Sequence, residues 1–133
     1  MKRFIRYSVM VFFCILSNTV SAAEFSDSYK WCYPYFRTTS PAVELKNVPK
    51  GTVEIEMTII DQYNSKVHLS TKVEYQKQKT FECGSLANVW NDLRYPAGHC
   101  GSGKQHIYVL HTKSIDKAAN IISETEFQRG CPE

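Results

Sequence analysis

Apolar and polar residues alternate with a period of two along two stretches of the chain. Between Thr52 and Ile60, Val53, Ile55, Met57 and Ile59 fall on one face and Glu54, Glu56 and Thr58 on the other. Between Val67 and Tyr75, Val67, Leu69, Thr71, Val73 and Tyr75 oppose His68, Ser70, Lys72 and Glu74. Such alternation predicts half-buried strands, and the β-branched and aromatic content of the second suits a pleated surface. Gln105 to Thr112 predicts a third strand, and Ser40-Pro41 opens an extended stretch. Val48-Pro49-Lys50-Gly51 predicts a turn, because proline presets φ and glycine tolerates a positive one. Two segments follow helical spacing instead. Ser85 can cap a helix carrying Leu86, Val89, Trp90 and Leu93 on one stripe, and Ser114 can cap a second with Ile115, Ala118, Ala119 and Ile122 buried. The aromatic-rich stretch from Glu24 (Phe25, Tyr29, Trp31, Tyr33, Tyr35 and Phe36) reads as core and edge packing. Alternating rather than uniformly apolar strands favour antiparallel sheets. The expected fold is mainly β, an antiparallel β-sandwich with two short helices.

The N-terminus reads differently. Lys2, Arg3 and Arg6 precede the apolar run Tyr7 to Leu16, and Val20-Ser21-Ala22 supplies small or slender residues for cleavage. This is the pattern of a signal peptide over residues 1–22, followed by a single domain over 23–133. The apolar run is too short for a spanning helix, which needs about 20 residues, so no transmembrane segment is expected in the mature chain. Cys14 lacks a small residue before it, which argues against a lipid anchor.

Loss of that segment changes the charge. The whole chain carries 16 basic and 13 acidic residues. Without Lys2, Arg3 and Arg6 the balance is 13 against 13 and no basic run remains, which removes the usual electrostatic basis for binding nucleic acid. The remaining cysteines are Cys32, Cys83, Cys100 and Cys131. An even number in a secreted or periplasmic chain predicts two disulfides, with three connectivities open. Cys83–Cys100 with Cys32–Cys131 is the favoured one. No CxxC pair is present and the spacing fits no common zinc module, so no metal is expected.

Three clusters bear on chemistry. Gly98 to Lys104 (GHCGSGK) resembles part of a phosphate-binding loop, but Gln105 replaces the metal-holding hydroxyl and a strand follows where a helix is required. What survives is a glycine-rich loop whose backbone N–H groups can hold an anion. Cys100 beside His99 suggests a cysteine hydrolase, the least favoured reading, since adjacent residues diverge and an oxidised cysteine is inert. His106 and Tyr108, two apart on a strand, point to one face. His68 on another strand, and Asp61 at the end of the strand before it, could join them near the glycine loop. Such donors suit phosphate or carboxylate. His111 falls on the opposite face of its strand.

Ser40-Pro41-Ala42-Val43-Glu44-Leu45, Asn47-Val48-Pro49-Lys50-Gly51-Thr52 and the strand ending at Asp61 resemble the opening signature of the phosphatidylethanolamine-binding protein family, and in particular its bacterial Raf-kinase-inhibitor-like branch. Gly98 to Gly103, His106-Ile107-Tyr108-Val109-Leu110 and Ile115-Asp116 resemble its later motifs in the same order. The likeness runs from about Ser40 to Asp116. It implies a β-sandwich of that type, with Asp61, His68, Gly98, His99, His106 and Tyr108 around a small anion pocket. The chain departs from the pattern at Gln62-Tyr63-Asn64-Ser65, which replaces Pro-Asp-Ala-Pro, and at Leu69, where a tryptophan is expected. The expected function is a secreted, non-enzymatic binding module without a cofactor. It would take a small phosphate- or carboxylate-bearing ligand, or regulate a protein partner. The alternative is a disulfide-stapled interaction protein or effector with a degenerate pocket.

Overall fold

The computed structural model describes residues 23–91, 93 and 106–131. The expected signal segment and the loop residues Gly98, His99 and Cys100 lie outside them.

Seven strands form two antiparallel sheets among the described residues. One holds β1 (Ser26–Lys30), β2 (Ala42–Lys46) and β5 (Thr80–Phe81) in the order β1-β2-β5. The other holds β3 (Glu54–Asp61), β4 (Val67–Glu74), β6 (Ile107–Ile115) and β7 (Ile121–Gly130) in the order β4-β3-β6-β7. The alternation along β3 does what its sequence requires: Ile55, Met57, Ile59 and Asp61 are buried, and the residues between them are half-buried. Tyr108, Leu110, Thr112 and Ser114 form the matching inward face of β6. Tyr29, Val43 and Leu45 from the three-stranded sheet join Ile55, Met57, Ile59, Leu69, Tyr108 and Leu110 in one core. On the outer face, Glu56 meets Lys72 at 3.6 Å and Lys113 at 3.8 Å across three strands. The turn before β3 forms as expected. Thr52 donates through both its backbone N–H and its hydroxyl to the Pro49 carbonyl, at 3.3 and 2.7 Å, while Gly51 takes φ +90°.

Two expected helices are absent. Around Ser85 there is one 3-10 turn, Ala87–Val89. Leu86, Trp90 and Leu93 are buried nonetheless, so the apolar spacing reports burial and not a helix. Beyond Ser114 the chain stays extended to Ile115 and then turns. The Asp116 carboxylate accepts N–H bonds from Ala118 (2.9 Å) and Asn120 (2.8 Å), and Ala119 adopts φ +64°. An aspartate that mimics a turn in this way competes directly with helix formation. β7 follows, paired with β6 from Ile121 to Gly130.

The expected disulfide pairing is also overturned. Cys32 is bonded to Cys83, with Cα atoms 5.9 Å apart. Cys32 therefore cannot pair with Cys131, which is itself disulfide-bonded. β1 and β5 both run antiparallel to β2 and so end on the same side of the sheet, two residues before Cys32 and Cys83, a tertiary fact that spacing does not carry.

β1 faces the larger sheet with a polar residue, Asp27, among its apolar ones. Thr112 and Thr125, directly paired on β6 and β7, donate their hydroxyls to its two oxygens at 2.6 and 3.4 Å. Burial pushes the Asp27 carboxyl above its ordinary value. The two threonine bonds and the nearby His111 on the outer side of β6 oppose that shift without cancelling it. The native state thus binds a proton more readily than the unfolded chain. Its contribution to stability is present below the ordinary carboxylate value and is lost as pH rises through the raised native value. Asp27→Asn keeps an acceptor for Thr112 and a donor for Thr125. We expect it to gain stability over the parent chain as pH rises from about 4 towards neutrality. Urea unfolding across that range measures this, and a difference that does not vary with pH would contradict it.

Candidate functional site

Asp61 closes β3, and the register sets it directly opposite Tyr108 on β6. Its Oδ1 accepts the Tyr63 N–H at 2.9 Å, shaping the loop that leaves the strand. Its Oδ2 accepts from His106 Nδ1 at 2.6 Å. Both residues are buried. Because the partner is a carboxylate, His106 carries a proton on Nδ1. Tyr63, 56% exposed, lays its ring over His106 with centroids 4.8 Å apart.

His68 arrives by a different route. Along β3 and β4, Ile59 pairs with Leu69 and Ile60 with Val67, so His68 is the extra residue of a bulge. Simple alternation places His68 away from Leu69. The bulge lets both be buried, while Val67 is 40% exposed. His68 Nδ1 donates to the Asn91 carbonyl at 2.7 Å, and the Asn91 N–H returns a bond to the His68 carbonyl at 2.7 Å. Trp90, bridged to Leu69 on the open edge of β4, packs its indole on His68 at 5.8 Å.

Tyr108 joins the two imidazoles. Its ring is 5.5 Å from that of His68 and 6.3 Å from that of His106. Burial pushes its phenol well above the ordinary value and the Asp61 charge adds to the effect, so it stays a donor. Behind it, Trp31 packs edge-on at 5.4 Å and Tyr29 donates its hydroxyl to the Tyr108 carbonyl at 2.7 Å. Burial likewise pushes the Tyr29 phenol up, against a smaller opposing pull from Arg129. Trp31 Nε1 donates to the Gly130 carbonyl at 2.9 Å, which ties β1 to the end of β7.

Asp61, His68, His106 and Tyr108 therefore come together. They do so under cover: exposure is 0% for Asp61, His68 and Tyr108 and 2% for His106. His111 stands apart on the outer face, 3.6 Å from Glu124. Among the described residues no group of three His, Cys, Asp or Glu is arranged to hold a metal. Two surface depressions lie elsewhere, on the three-stranded sheet, one beside Phe81 and one beside Tyr75. Sequence reasoning missed Trp90, Asn91 and Tyr63. The first two reach His68 across 22 or more positions, a pairing with no local signature. Tyr63 stands where the family pattern is broken.

Two buried donors at this site have no hydrogen bond among the described residues: the Tyr108 hydroxyl and the Trp90 indole N–H. Buried polar groups of this kind are uncommon in folded proteins, and each calls for a physical explanation.

The fold is similar to that of E. coli YbcL, described as a new member of the mammalian PEBP family. The TM-score is 0.57 at 15% identity, and the match covers 81% of this chain and 98% of that one. Neither a family model nor a curated protein sequence matches the chain. The likeness is therefore one of fold. It defines a PEBP-like, mainly antiparallel β protein and assigns no branch within that class. Among the described residues no helix is long and apolar enough to cross a membrane.

Proposed function

We propose that the protein is an exported, non-enzymatic binding module, a β-sandwich of the phosphatidylethanolamine-binding type covering residues 23–133 after cleavage near Ala22. It takes the phosphate or carboxylate group of a small ligand between His68, His106 and Tyr108. The observation that carries this reading is the buried Tyr108 hydroxyl, a permanent donor without a hydrogen bond among the described residues, set between two oriented imidazoles. Each imidazole has its Nδ1 committed, to Asp61 or to Asn91. Nε2 is then the nitrogen that accepts while the ring is neutral and donates once it is protonated. Gly98 and His99 would complete the anion contacts. Export is supported by the Cys32–Cys83 bond, which belongs to oxidising compartments.

Because the cluster is covered, entry requires a side chain to yield. Tyr63 is the candidate, being 56% exposed and packed against His106 at an interplanar angle of 44°. Titration of the oxidised protein with inorganic phosphate to millimolar concentration is expected to shift the His68 and His106 ring signals in NMR spectra and leave His111 unmoved. Flat titrations would reject the pocket. The same burial favours a second reading, an interaction protein acting through its surface, where Tyr33 and Tyr35 are 64% and 72% exposed.

A further inference from the structure

Trp90 packs beside the proposed anion site, although it lies 22 residues beyond His68 and outside the motifs that carry the family resemblance. Its backbone is bridged to Leu69, and its neighbour Asn91 holds both the His68 carbonyl and the His68 Nδ1–H. Those links clamp the indole against His68 at 5.8 Å, on a ring that Tyr108 approaches at 5.5 Å. Trp90 is 9% exposed, and its Nε1 is buried without a hydrogen bond among the described residues. A tryptophan buried for packing alone would usually give its N–H to a carbonyl, as Trp31 does to Gly130. The two rings that carry such donors, the Trp90 indole and the Tyr108 phenol, thus both pack on the His68 imidazole.

We infer that Trp90 Nε1–H and Tyr108 Oη–H act as a pair of neutral donors for one oxyanion, each meeting a different oxygen of a phosphate or carboxylate group. This deepens the anion-binding reading and rests on it. A fixed pair of neutral donors selects a group with at least two acceptor oxygens, since each N–H or O–H takes one.

The chain contains two tryptophans, which makes the test specific. In uniformly 15N-labelled, oxidised protein titrated with inorganic phosphate, the Trp90 indole N–H signal is expected to move downfield. Its saturation curve should match that of the His68 and His106 ring signals. The Trp31 indole signal, already bonded to Gly130, should stay in place. Trp90→Phe keeps an aromatic ring on His68 and removes the donor, and it should weaken phosphate binding by about tenfold. If the histidine signals move while the Trp90 signal does not, and Trp90→Phe binds like the parent, the donor pair is wrong and the anion site stands. If neither histidine nor Trp90 signals respond, both readings fall.

Discussion

Replacing Cys32 by Ala and Cys83 by Ser together is expected to cost about 4 kcal/mol of stability, the chain-entropy value for a link spanning 51 positions. The bond gains its effect from where it lies as well as from its length. Cys32 follows Trp31, whose ring supports Tyr108. Cys83 precedes the segment in which Gly84 donates to the Ser40 carbonyl, Leu86 donates to the Ser40 hydroxyl and Trp90 reaches His68. Two walls of the site are thus joined by one covalent link. Alanine suits the buried Cys32 and serine the exposed Cys83, so neither substitution strands a polar group. Urea unfolding under oxidising conditions reads the loss, and a change below about 1 kcal/mol would show that the link is energetically idle. Non-reducing peptide mapping should recover the Cys32 and Cys83 peptides joined.

Asp61→Ala is expected to cost about 3 kcal/mol, the scale for removing one member of a buried, hydrogen-bonded pair. Two donors lose their acceptor at once: His106 Nδ1–H and the Tyr63 N–H. The His106 donor has no water to turn to, because that residue is 2% exposed. Asp61→Asn restores one acceptor without the charge and should recover part of the loss, leaving a deficit of about 1 to 2 kcal/mol. Chemical denaturation of both variants tests this. Equal stability of Asp61→Ala and the parent would mean that the carboxylate does not hold His106. Phosphate titration of Asp61→Asn supplies a separate readout, because His106 freed from its carboxylate is no longer kept on the Nδ1–H tautomer.

The candidate site divides cleanly between what pattern reveals and what it hides. His106, Tyr108 and Asp61 were legible because they obey strand periodicity. Two residues two apart share a face, and a carboxylate at an inward-facing strand end meets whatever lies opposite. His68 was named with them, from its place on the neighbouring strand and from the family resemblance, but alternation does not turn it inward. Its burial depends on a bulge, and a bulge is an extra residue in a pairing whose register the sequence does not announce. Trp90 and Asn91 were hidden for a related reason. Their apolar spacing looks helical, but only one 3-10 turn forms before the chain pairs with Leu69 and His68. The expected helix after Ser114 failed at Asp116, whose side chain stabilises a turn more directly than an amphipathic stripe stabilises a short helix.

By itself the sequence determined the class of structure, mainly antiparallel β, and the inward faces of β3 and β6. A period of two leaves each strand one apolar side, and that side must be buried. Only the tertiary structure decided that Cys32 meets Cys83, that His68 turns inward, and that Trp90 lies against it. These are contacts between segments far apart in the chain. Their partners are selected by sheet order and strand register, and neither is written in the local alternation of residues.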